Sequence, residues 1–138
     1  MRILTAALCD RVTTAPDGKL DLRGVFHDLY AHGFPARQDA MTLVLVLEWD
    51  RDDHGRHNFR VDVRDPEGRP TLTLEGQSEV TPAPADRPPA RTQLVMPIED
   101  VVFPMPGRYA LDVTVKGRTL AGPSLHLVEI EDGNGDSR

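Results

Sequence analysis

Phe59-Arg60-Val61-Asp62-Val63-Arg64 and Tyr109-Ala110-Leu111-Asp112-Val113-Thr114-Val115-Lys116 alternate apolar and polar residues one for one. Successive side chains of a β-strand point to opposite faces, so a period of two gives one dry face and one wet face. Leu72 and Leu74, set between Thr71, Thr73 and Glu75, repeat the pattern. A helix needs an apolar residue every three or four positions. No window of helical length offers that stripe, and 12 prolines and 11 glycines break up the chain.

Turn chemistry separates the alternating runs. Pro16-Asp17-Gly18-Lys19, Asp52-Asp53-His54-Gly55, Asp65-Pro66-Glu67-Gly68, Pro106-Gly107 and Lys116-Gly117-Arg118 place Gly, Pro and Asp where tight reversals require them. The resulting strands are expected near 2–12, 20–31, 41–50, 57–65, 70–76, 92–98, 108–116 and 124–130. Short strands at this spacing with no helices between them predict an all-β fold. The expected architecture is an antiparallel β-sandwich of about 7–9 strands, immunoglobulin-like in general layout. Residues 1–130 form its single domain. Residues 81–90, rich in proline, cannot sustain a ladder and are expected as a crossover loop. Residues 131–138 lack a large apolar side chain and are expected as a disordered tail.

Composition narrows the function. The 138 residues carry 16 basic and 22 acidic side chains, a net charge of −6. Such a body repels a phosphate backbone, and no basic stripe or interleaved aromatics offset it, so nucleic acid is not an expected partner. The opening Met1-Arg2-Ile3-Leu4-Thr5-Ala6-Ala7-Leu8-Cys9-Asp10 breaks its apolar run at Thr5 and closes it at Asp10-Arg11, unlike a secretory leader. The longest apolar run, Leu43-Val44-Leu45-Val46-Leu47, is strand-sized and too short for a membrane span. A single cysteine makes no internal disulfide. A cytoplasmic protein without membrane attachment is expected.

Asp50-Arg51-Asp52-Asp53-His54-Gly55-Arg56-His57 is the densest polar cluster, and Asp50, Asp52 and Asp53 are the candidate metal ligands. Calcium takes six to eight oxygens from such loops. Asp50, Asp52 and a glycine at the sixth place, Gly55, start like a calcium-binding helix–loop–helix loop. Val61 then stands where a bidentate Glu belongs, His54 replaces an oxygen ligand, and Arg51 and Arg56 add positive charge. A surface turn solvated by its own charges is the preferred reading. His27 and His32, five apart, face opposite sides of a continuous strand, and His126 faces outward between Leu125 and Leu127. Ala7, Leu8 and Val12 surround Cys9 with apolar neighbours that raise a thiol's pKa. No nucleophile elbow, phosphate-cradling loop or dinucleotide fingerprint is present, so neither catalytic residues nor a cofactor are expected.

One segment departs from simple alternation. If Leu43, Leu45, Leu47 and Trp49 face the core, Val44 and Val46 point the other way, and Val128 and Ile130 pose the same problem in the last strand. Either a loop, such as the proline-rich one, covers that face, or Val44, Val46, Val128 and Ile130 form a stripe that docks a partner or a second copy.

Three pieces together carry a resemblance: Leu8-Cys9-Asp10 followed by Gly18-Lys19-Leu20; Gly24-Val25-Phe26-His27-Asp28-Leu29 running on to Phe34-Pro35; and Pro106-Gly107-Arg108-Tyr109 with Leu111, Val113, Val115 and the Gly117 turn. Over about residues 6–128 the chain resembles a family of short bacterial proteins, common in high-GC genomes, catalogued as a domain of unknown function. The resemblance implies a small β-sandwich and brings no catalytic residues. The functional expectation is a non-catalytic interaction or scaffold module that binds another protein or itself. The alternative is a calcium- or small-ligand-binding domain using the acidic turn.

Overall fold

A computed structural model describes residues 1–131 of the chain. Among them are nine strands and no helix: β1 (Arg2–Thr14), β2 (Leu20–Phe26), β3 (Asp28–Ala31), β4 (Ala36–Glu48), β5 (Gly55–Arg64), β6 (Pro70–Val80), β7 (Arg91–Phe103), β8 (Gly107–Val115) and β9 (Arg118–Glu129). They form a four-stranded sheet in the order β2-β1-β4-β7 and a five-stranded sheet in the order β3-β9-β8-β5-β6. One sheet is curled into a half-barrel. No helix of the described residues is long and apolar enough to cross a membrane. The disordered-tail expectation for 131–138 falls, apart from Glu131, outside the described residues.

The alternation works as read. Phe59, Val61 and Val63 from β5, and Tyr109, Leu111, Val113 and Val115 from β8, are buried. They join Leu8 of β1 and Met41, Leu43, Leu45 and Leu47 of β4 in one hydrophobic cluster. The inner faces of both sheets therefore feed a shared dry interior, the main source of folding free energy at about 25 cal/mol per Å² of apolar surface removed from water. Residues 81–90 carry no strand and lead from β6 in one sheet to β7 in the other.

Three expectations need correction. The run 20–31 is not one strand. It breaks at His27, and β2 stays with β1 while β3 joins the other sheet. The arrangement is not wholly antiparallel, because β3 pairs with β9 in parallel, from Asp28 opposite His126 to Ala31 opposite Glu129. Alternation alone does not encode strand direction. Finally, Val44, Val46, Val128 and Ile130 form no common stripe. Val44 and Val46 belong to β4 of the four-stranded sheet, whereas Val128 ends β9 of the five-stranded one, just before Ile130.

Val44 is moreover fully buried. Its cross-strand partners Ala7 and Val95 put it on the face turned away from the core. That face is covered nonetheless. β1 pairs with β4 through its first half, up to Cys9, and with β2 through its second, leaving β1 and β2 as a hairpin arm. At the arm's tip the Gly18 carbonyl accepts a hydrogen bond from Gln93 Nε2 of β7 at 3.3 Å. Strand β4 lies between β1 and β7, so the arm reaches back across it. A charge at Val44 would meet no water and would unfold the domain rather than dissolve an interface.

Tyr109 fixes the start of β8. Its hydroxyl donates to the Met105 carbonyl at 2.7 Å and accepts from the Met105 amide at 3.1 Å. Its ring meets Phe103 edge-on, with centroids 5.1 Å apart. Tyr109→Phe leaves both Met105 backbone groups unpaired beside a fully buried ring. The expected loss is about 1–3 kcal/mol, read in urea denaturation as a lower midpoint with an unchanged slope.

Candidate functional site

The acidic turn follows directly from β4. Trp49 continues that strand's buried side, and its indole N–H donates to Thr92 Oγ1 of β7 at 2.8 Å. The Trp49 amide donates to the Ala90 carbonyl at 2.9 Å. With Trp49 held this way, the next five residues must turn the chain into β5. Asp53 closes the turn on itself: its amide donates to the Asp50 carbonyl at 3.0 Å, and its Oδ2 accepts from the Asp50 amide at 2.9 Å.

The structure brings all three candidate ligands together. One carboxylate oxygen each from Asp50, Asp52 and Asp53 lie within 4.8 Å of one another. Two of the three are already engaged by cations. Asp50 Oδ1 accepts from the Met1 ammonium at 2.7 Å, and Asp53 Oδ1 accepts from Lys116 Nζ. Asp52 and Asp50 are exposed, whereas the Asp53 side chain is only 7% exposed. Burial alone would push the Asp53 carboxyl up. The Lys116 hydrogen bond, the Asp50 amide and the nearby positive charges outweigh burial and hold it below the ordinary carboxylate range. The Asp53 hydrogen bond, and then the charges of Asp53, Asp50 and Asp52, raise Lys116 despite some desolvation.

Sequence reasoning missed Lys116 because it lies 63 residues from Asp53. Its turn was legible, its partner was not. Lys116 and Gly117 have φ of 57° and 72° between paired Val115 and Arg118. That is the two-residue hairpin turn with positive φ at both central positions, which matches the strands' right-handed twist.

The remaining candidates are placed as follows. His54 Nδ1 donates to the Asp52 carbonyl at 3.1 Å and His57 Nε2 to the His54 carbonyl at 3.1 Å, which fixes the proton on each of those nitrogens. His57 also stacks on Trp49, centroids 5.0 Å apart. His27 sits at the β2–β3 break, where its carbonyl accepts from the His126 amide at 2.9 Å. His126 faces outward as expected, with Nδ1 3.8 Å from Asp28 Oδ1. Cys9 is fully buried with Sγ 3.8 Å from the Thr42 carbonyl. Burial pushes its thiol up, a backbone hydrogen bond from Arg11 opposes this, and Asp10 adds to it, so the group is held as a thiol.

Elsewhere the outer surface of the five-stranded sheet pairs its charges. Arg60 Nε donates to Asp62 Oδ2 at 3.0 Å, Arg64 Nε to Asp112 Oδ2 at 3.2 Å, and Thr73 Oγ1 to Asp62 Oδ1 at 2.9 Å. Among the described residues no buried side-chain nitrogen or oxygen lacks a hydrogen-bond partner.

The match to known families extends over residues 4–128 and is to the Family of unknown function (DUF6941). The chain belongs to this family. No curated protein matches the sequence.

The engaged carboxylates give two expectations. Calcium at millimolar concentration leaves the melting temperature of this DUF6941 chain unchanged, because a cation at the turn must first displace Lys116 from Asp53. Lys116→Asn keeps the left-handed turn, which Asn tolerates, and removes only the ammonium. It lowers Tm by several degrees at neutral pH. The pH dependence has a definite sign. A carboxyl held below its unfolded value contributes stability above the ordinary carboxylate range and loses it as pH falls through the folded value. Acid therefore destabilises the native chain, and the difference in Tm between native and Lys116→Asn narrows as pH drops through that window.

Proposed function

We propose that this domain is a non-catalytic binding module, an immunoglobulin-like β-sandwich that associates with a second copy of itself along the β3–β9 edge. Two sheets sharing one core, and a tyrosine whose hydroxyl bonds back to backbone four residues upstream, support the sandwich reading.

The observation that carries the docking reading is Tyr30. It is 63% exposed, the most exposed large hydrophobic side chain among the described residues, and it stands in register beside Val128, itself 37% exposed. Ile130 extends this edge, its amide donating to the Ala31 carbonyl at 2.9 Å. Of the four interface residues read from sequence, Val128 and Ile130 thus retain a place at the contact, and Tyr30 takes the part assigned to Val44.

Strand order leaves β3 at the rim of its sheet with a ladder on one side, against β9. An edge strand offers unpaired backbone donors and acceptors to another strand, and a two-fold contact of identical edges satisfies both copies at once. A tyrosine contributes a large ring at small conformational cost and keeps its hydroxyl wet at the rim.

Sedimentation velocity over a concentration series tests this. A dimer in the native chain that reverts to monomer in Tyr30→Arg supports it. A native chain that stays monomeric at high concentration, or a dimer indifferent to Tyr30→Arg, overturns it.

A further inference from the structure

The β1–β2 arm carries an arrangement that neither the core nor the β3 edge uses. Arg11 and Arg23 are directly paired residues of the antiparallel ladder, and Thr13 and Asp21 are the next pair on the same face. The four side chains, with Leu22, line a cavity of about 390 Å³. Directly opposed like charges destabilise a strand pair unless something neutralises them.

Several arginines find carboxylates: Arg2 and Arg91 share Glu48, Arg37 takes Asp100, and Arg69 takes Asp65 and Glu67. Among the described residues neither Arg11 nor Arg23 has a carboxylate within 4.0 Å, although Asp21 lines the same cavity. The Gln93–Gly18 bond holds the arm's tip, so the cavity is carried on an anchored element rather than a free hairpin.

We propose that this cavity binds inorganic phosphate in its monohydrogen form. Two guanidinium groups lining one cavity supply paired N–H donors for a tetrahedral oxyanion, and the Thr13 hydroxyl adds one more. A carboxylate repels a fully ionised anion but accepts a hydrogen bond from one that keeps a proton. Asp21 therefore selects monohydrogen phosphate, whose P–O–H can donate to it, over sulfate, which has no proton to give. The same chemistry ranks inorganic phosphate above a phosphate monoester in mildly alkaline buffer, where the ester has lost its last proton. The site lies on the four-stranded sheet, so its existence is independent of association at β3.

Titration calorimetry of the full chain with sodium phosphate, sodium sulfate and a phosphate monoester, at low ionic strength and mildly alkaline pH, tests the assignment. Saturable phosphate binding, weaker monoester binding and the weakest sulfate binding are expected. Arg11→Gln and Arg23→Gln change exposed side chains and keep the native far-ultraviolet spectrum, and each weakens phosphate binding by roughly tenfold or more, the weight of a charge-assisted pair. Asp21→Asn, which can donate, raises sulfate affinity toward that of phosphate. Absence of saturable phosphate heat at millimolar concentration, phosphate binding indifferent to either arginine substitution, or sulfate binding equal to phosphate in the native chain overturns the proposal.

Discussion

The structure depends on β4 being dry on both sides. Leu43, Leu45 and Leu47 face the shared core, while Val44 between them is buried on the opposite face. A strand dry on both faces has little freedom to slip, since a one-residue shift would exchange two sets of well-packed neighbours. The register of β4 on β7 runs without interruption from Leu43 opposite Met96 to Glu48 opposite Arg91. That register delivers Trp49 to Thr92 and starts the acidic turn at a fixed point. The arm's tip is bonded to Gln93 of β7, on the far side of β4 from β1.

In the acidic turn three carboxylates are gathered on one loop. Their mutual repulsion has to be offset, and here Lys116 and the Met1 ammonium do so from other elements. A protein cation held by the fold is always present at the site, whereas a free ion must arrive from solution and pay for its own desolvation. The turn therefore clasps the end of β4 to the β8–β9 hairpin. Asp65 does comparable work in the next turn, where it accepts from the Glu67 and Arg69 amides at 2.9 Å. Burial pushes its carboxyl up and these amides, with Arg69, bring it below the ordinary range.

How much of this was legible in the sequence follows from which interactions are local. Alternation at Phe59–Val63 and Tyr109–Val115 gave the strands and their dry faces, because a strand's period is a property of a few consecutive residues. Turn residues gave the reversals, because left-handed backbone selects glycine at Gly18, Gly55, Gly68 and Gly117. The break at His27 was hidden, because which sheet β2 and β3 join is set by partners distant in the chain. Strand lengths were underestimated for β7 and β9: β7 runs on past Asp100, whose φ is 55°, to the buried Val101 and Phe103, and β9 begins earlier in the largely exposed stretch from Arg118. The acidic cluster could be found from sequence, but its neutralising partners could not, since pairing across 49 or 63 residues leaves no local mark.

The same logic bears on where the two proposed contacts lie. Its core faces are spent on each other, and the outer face of β4, an obvious apolar candidate by pattern, is spent on the arm. The two proposed contacts lie instead at the β3 edge and on the exposed face of the arm. These differ in chemistry, one aromatic and aliphatic, the other cationic, and they lie on different sheets. A contact at one does not require occupancy of the other. The two are joined along the chain at His27, where β2 ends and β3 begins and whose carbonyl accepts from the His126 amide, and through the core that both sheets share.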